Sequence, residues 1–136
     1  MLDAGFSELK NAFHLHGRVA ENGTSPSYFL LLFYAVECGL KARILKNLNK
    51  TKLSQLEEKD DIISHDLTFM VKKLRLPLAI TSENTNFHLQ KDNSSYSVKY
   101  AHEAWRYGIA VNEADQRKLT DWLKQIQEWL KRNMPR

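Results

Sequence analysis

Between Tyr28 and Arg43, thirteen of sixteen positions are apolar or glycine, and the first charge in the run is Glu37. Lys41 follows four residues later. A helix this apolar on nearly all sides belongs at the centre of a core. Ser25-Pro26 marks its start, a capping hydroxyl followed by proline at the first helical position, and the pattern runs to about Leu48. Before it, Leu2, Phe6, Leu9 and Phe13 recur at steps of four and three. They form one stripe and predict a helix from Leu2 to Ala20.

After it the pattern weakens. Asn49 to Ile63 is polar, with Leu53 and Leu56 as anchors, and reads as a loop with a short helical turn. Ser64 is placed to cap a third helix from His65 to about Leu76, with Leu67, Met70, Val71 and Leu74 on its apolar face and Pro77 ending it. Leu78 to Ser97 is the least readable stretch. A weak helix over Glu83–Lys91 is the expectation there, with Phe87 and Leu89 as isolated apolar positions. Val98 to Tyr107 reads as helical, with Gly108 at its end. Asn112, with Glu113 and Asp115 behind it, starts a last helix. Its stripe is Leu119, Trp122, Leu123, Ile126 and Leu130, and Lys131-Arg132 suit a helix C-terminus. The sum is one all-α domain over residues 1–136, an antiparallel bundle of four or five helices.

Composition supports this. Five Gly and three Pro leave little room for the turns of a β-sandwich, and 43% hydrophobic with 26% charged residues is ordinary for a globular chain. Twenty Lys and Arg against sixteen Asp and Glu give a net charge of +4, which permits contact with a phosphate backbone without demanding it. Cys38 is the single cysteine, which excludes an internal disulfide. The N-terminal residues do not read as a secretory signal. The sequons at Asn22, Asn49 and Asn93 are therefore read as chance. The Tyr28–Cys38 run is too short to span a bilayer. A cytoplasmic location is the default expectation.

Three clusters carry candidate chemistry. Glu37 and Lys41 lie about 40° apart on the helix wheel and share a face with Leu30 and Tyr34. Lys46 and Gly39 fall on roughly the opposite side. The two charges are either a plain i,i+4 ion pair or a pair that meets a third polar group. His65-Asp66 opens the third helix. The dipole there favours the carboxylate of Asp66 and disfavours an imidazolium at His65. His65 is thus either a structural hydrogen-bonding residue or a catalytic one. Trp105-Arg106-Tyr107 sets a guanidinium between two rings, suited to phosphate, to a buried salt bridge with Glu37, or to an inter-helix clamp. His14 and His16, two apart, make poor metal geometry. Cys38 reads as a small buried hydrophobe. No glycine-rich phosphate loop, CxxC or HExxH occurs, and no metal or cofactor is expected.

Glu37-Cys-Gly-Leu-Lys41-Ala, then His65-Asp-Leu67, then Arg106-Tyr107 resembles, in order and helix placement, the HEPN superfamily of small all-α domains, over roughly Leu2 to Leu130. The resemblance implies a bundle of four or five helices, often a homodimer. It implies association with RNA or nucleotides, frequently in bacterial defence or toxin–antitoxin systems, and in some members a minimal nucleotidyltransferase as partner. Ribonucleases of this superfamily use an Arg followed by four to six residues and a His. No arginine here has a His at that distance, so no catalytic residue carries over. The residues that do are Glu37, Lys41, His65, Asp66, Arg106 and Tyr107, as a binding or structural polar cluster.

The leading expectation is a binding module for RNA, a nucleotide or a partner protein, with Arg106 and Lys41 supplying charge for phosphate. Tyr107 or Trp105 would offer a stacking face, and Glu37 and His65 would orient the set. One alternative is a ribonuclease with a non-standard His65/Arg106 site. Another is a purely structural interaction bundle.

Overall fold

The computed structural model describes residues 3–56 and 65–135. The described residues form six α-helices, one short hairpin and two 3-10 turns (Leu53–Gln55 and Val98–Tyr100), with the order α1 (Phe6–Ala20), α2 (Pro26–Asn47), α3 (Leu67–Lys73), α4 (Leu78–Thr81), β1 (Phe87–His88), β2 (Ser95–Tyr96), α5 (Ala101–Arg106) and α6 (Glu113–Asn133). The class is mostly helical, as the hydrophobic pattern predicts.

α2 is the central element. Leu32, Phe33, Ala35, Val36, Leu40, Ile44 and Leu45 are all nearly or fully buried, and they lie around the helix rather than along one stripe. α1 packs along it in an antiparallel hairpin, with Phe13 against Gly39 and Gly17 against Ala35. The missing side chain at Gly39 permits this approach. A Cβ there would stand 2.7 Å from Leu130 Cδ1 and 2.8 Å from the Phe13 ring. So the side of α2 opposite Glu37 is as closely packed as the rest. α6 closes the bundle through Leu119, Trp122, Leu123, Ile126 and Leu130, the stripe its sequence predicts. Asn112 caps it, its side-chain oxygen accepting from the Asp115 backbone N–H at 3.1 Å.

The boundaries depart from the sequence reading in instructive ways. Ser25 holds the capping position of α2 with extended backbone, but its side chain makes no capping bond. The third helix is shorter than expected. Asp66 caps it, accepting from the Phe69 N–H at 3.1 Å, so His65 precedes the helix instead of sitting in its first turn. The proposed Ser64 cap lies outside the described residues, as does most of the stretch after Leu56. α3 ends at Lys73, four residues ahead of Pro77, with Leu74 as its C-cap and Arg75 turning left-handed at φ 56° behind it.

The expected helix over Glu83–Lys91 does not form. Phe87 and His88 pair instead with Tyr96 and Ser95 in an antiparallel hairpin. The turn residues explain the preference. Asp92 accepts from the Ser94 N–H at 3.0 Å and from its hydroxyl at 2.6 Å, and Asn93 adopts φ 57°. Phe87 and Leu89 are both buried with His88 between them, a period of two. Beyond the hairpin, a 3-10 turn over Val98–Tyr100 leads into α5, and Gly108 at φ 65° ends it.

Candidate functional site

The polar residues of α2 face α5 and the start of α3. The Glu37 carboxylate is only 7% exposed and Lys41 8%. A lone buried charge would be severely unfavourable. Here Lys41 Nζ donates to Glu37 Oε2 at 3.3 Å, and His65 Nδ1 meets Oε1 at 2.5 Å. Both carboxylate oxygens are thereby occupied. With Glu37 as acceptor, His65 donates from Nδ1, and among the described residues no hydrogen bond engages its Nε2. The His65 side chain is 44% exposed, so the trio reaches from the interior to solvent.

The track continues through a residue that the sequence reading did not single out. His102 of α5 lies 4.1 Å from the His65 ring, centroid to centroid, with the rings tilted by 39°. It also packs on Phe33 at 5.1 Å and near Tyr34 at 6.5 Å. The residue is buried, and its Nδ1 finds no hydrogen-bond partner among the described residues. Burial pushes its imidazole below the ordinary 6.5, and the charges of His65 and Arg106 push the same way. His102 stands four residues before Arg106 and so shares its helix face. That spacing was the signal available in the sequence.

Arg106 departs from one of its expected roles. It is exposed and forms no salt bridge to Glu37. Its guanidinium donates to the Tyr34 hydroxyl, the sharing of a face that the helix wheel of α2 foresaw for Tyr34. It stacks at 6.0 Å from the rings of both Tyr34 and Tyr107. Bonds to Tyr34 and Tyr107 raise its pKa further, which keeps it cationic. Among the described residues, no carboxylate makes an ion pair with it. Tyr107 is 67% exposed beside it, whereas Trp105 is buried, with its indole N–H donating to Gln116. Of the two rings proposed for stacking, only Tyr107 is accessible.

Lys41 departs as well. Its ammonium is buried and committed to Glu37, so it is not available to an external phosphate. Asp66 serves as the α3 cap. The six expected residues therefore divide. Glu37, Lys41 and His65 bond to each other, Arg106 and Tyr107 form a separate outer group, and Asp66 shapes the backbone beside His65. Tyr34 and His102 bridge the inner and outer groups.

The remaining candidates are chemically quiet. Burial, with the Glu37 charge adding to it, pushes the Cys38 thiol up to about 11, so it is not a thiolate at neutral pH. No group of His, Cys, Asp and Glu among the described residues has the geometry of a metal site. No helix among them is long and apolar enough to cross a membrane. No family model matches the chain, and neither a curated protein nor a solved structure does.

Proposed function

We propose that this chain is a HEPN-like helical bundle that binds the phosphate of RNA or of a nucleotide through Arg106, with His65, linked to that end through His102, as a second polar contact. The observation that carries this reading is the state of Arg106. It is an exposed guanidinium held by two tyrosines and neutralised by no carboxylate among the described residues. Hydroxyls and rings restrict its geometry without neutralising its charge. A guanidinium held this way suits the bidentate recognition of phosphate. Glu37 and Lys41 form the interior anchor that holds His65 in place. The expected biological setting is a defence or toxin–antitoxin system, with a homodimer or a nucleotidyltransferase-type partner completing the unit.

The test is titration of fluorescently labelled RNA and nucleotides at several salt concentrations. Binding should weaken as salt rises, because bound counterions are released. Arg106→Ala should weaken it across sequences and reduce the salt slope by about one phosphate contact. Absence of salt-dependent binding, with Arg106→Ala altering only stability, would remove this reading.

A second reading is a ribonuclease with a non-standard site. The Nδ1 bond to Glu37 favours it, since it fixes the His65 ring and directs Nε2, which has no partner among the described residues, to proton transfer. Arg106 would stabilise charge in the transition state. Toxicity on expression that His65→Ala abolishes without unfolding the protein supports this reading, and full toxicity in that variant eliminates it.

A further inference from the structure

On the other side of Tyr107 lies a groove that neither the polar cluster nor the sequence motifs account for. It has a volume of about 260 Å³ and runs between α5 and the β1–β2 hairpin. That is just below the range of about 300–1,000 Å³ seen for small-molecule clefts. Tyr100, Glu103 and Tyr107 line it from the α5 side, and Phe87 and Tyr96 from the hairpin.

The rings are arranged in sequence. Phe87 and Tyr96 stack at 6.0 Å with 28° between planes, and Tyr100 meets Tyr96 edge-on at 6.1 Å. Tyr96 and Tyr100 are each 42% exposed. Three accessible tyrosines on one groove are more aromatic surface than the core requires, because Phe87 and Leu89 already bury the hairpin's inner face. Cations border the rings. Lys91 lines the groove, Lys99 Nζ stands 5.3 Å from the Tyr100 ring, and Arg106 stands over Tyr107. Glu103 is the opposing charge on the wall, and as an acceptor it suits the amino group of a base. Planar apolar faces flanked by cations complement a flat ring attached to a phosphate.

We propose that this groove is a stacking site for unpaired bases of single-stranded nucleic acid, with Arg106 and Lys99 on the adjoining phosphates. The proposal rests on the phosphate-binding reading above and specifies its ligand. Bases stacked inside a duplex do not present their faces to tyrosine rings, so the groove selects single strands.

The experiment measures fluorescence anisotropy with a labelled RNA of about a dozen nucleotides. It is compared with an abasic strand of the same length and with the corresponding duplex. The intact single strand should bind more tightly than either. Tyr96→Ala with Tyr100→Ala, which leaves both tyrosines that hold Arg106 in place, should weaken its binding by roughly five- to a hundred-fold, in line with the loss of one stacked base. The same change should leave the abasic strand nearly unaffected. Tyr100→Phe keeps the ring and should keep the affinity, and circular dichroism of each variant checks folding. Equal binding of the intact and abasic strands, or full affinity in the double tyrosine variant, overturns the groove proposal while salt-dependent binding through Arg106 stands. If the wild-type protein binds none of the three at low salt, both readings fall together.

Discussion

The two ends of the polar track obey different physics. At the inner end, Glu37 and Lys41 lie in the core, and each is tolerable only because the other is there. At the outer end, Arg106 is solvent-exposed and is organised by hydroxyl and ring contacts that need no opposite charge. The first arrangement costs desolvation and returns rigidity. The second costs little stability and, among the described residues, leaves the guanidinium without a carboxylate partner. The proposed phosphate contact therefore rests on the outer end, even though the inner end is the more conspicuous in the sequence.

Substitutions can break this contrast. The largest effect is expected from Glu37→Ala, which strands a buried ammonium and frees His65. It should destabilise the fold by about 3–5 kcal/mol, read from urea unfolding. Replacing both partners, Glu37→Met with Lys41→Met, should recover most of that loss, because two apolar side chains avoid the desolvation of both charges. A double variant as unstable as the single would show that the pair contributes more than mutual neutralisation. Asp66→Ala removes the α3 cap and should cost about 1 kcal/mol, with Asp66→Asn restoring most of it.

His102 gives a smaller effect with a distinctive pH signature. Its imidazole is held below its ordinary 6.5 in the folded state, so the unfolded chain binds the proton more readily. The stabilisation from burying it neutral is complete above pH 6.5 and is lost as pH falls below that value. His102→Phe should flatten stability over that acidic window. A slope unchanged by the substitution would assign it to another group. His65, Arg106, Glu103 and Glu37 surround this ring and set its charge balance. The smallest stability effect belongs to Arg106→Ala, which should leave the urea midpoint unchanged. A large shift in that midpoint would place Arg106 with the clamp and against the contrast drawn here.

Much of the helical framework was legible in the chain. The stripe of α6 names its buried residues. In that of α1, Leu9 and Phe13 are buried and Phe6 half-buried, while Leu2 lies outside the described residues and the helix starts at Phe6 rather than Leu2. Asn112 and Gly108 mark real boundaries, because periodicity, caps and left-handed turns are local properties. The hairpin was not, since Phe87 and Leu89 are too few to reveal a period of two and Asp92 acts through a tight turn. His65 was identifiable as a hydrogen-bonding residue, but its bond to Glu37 spans twenty-eight residues of chain. His102 does not stand out in the sequence, because a single histidine amid Ala101, Ala104 and Trp105 looks like ordinary core.

The sequence alone determined that α2 would be central and that a carboxylate inside it would need partners. Both follow from the high free-energy cost of burying polar groups unpaired and of exposing an apolar helix on all sides. Only the tertiary structure decided which groups those partners are. Beyond the local i,i+4 pair with Lys41, it gave Glu37 to His65, and Arg106 to the hydroxyl of Tyr34. Charge and helix placement made all of these pairings admissible. The packing of α5 across α2 selected among them, because an ion pair forms only where the backbone brings its two ends within reach.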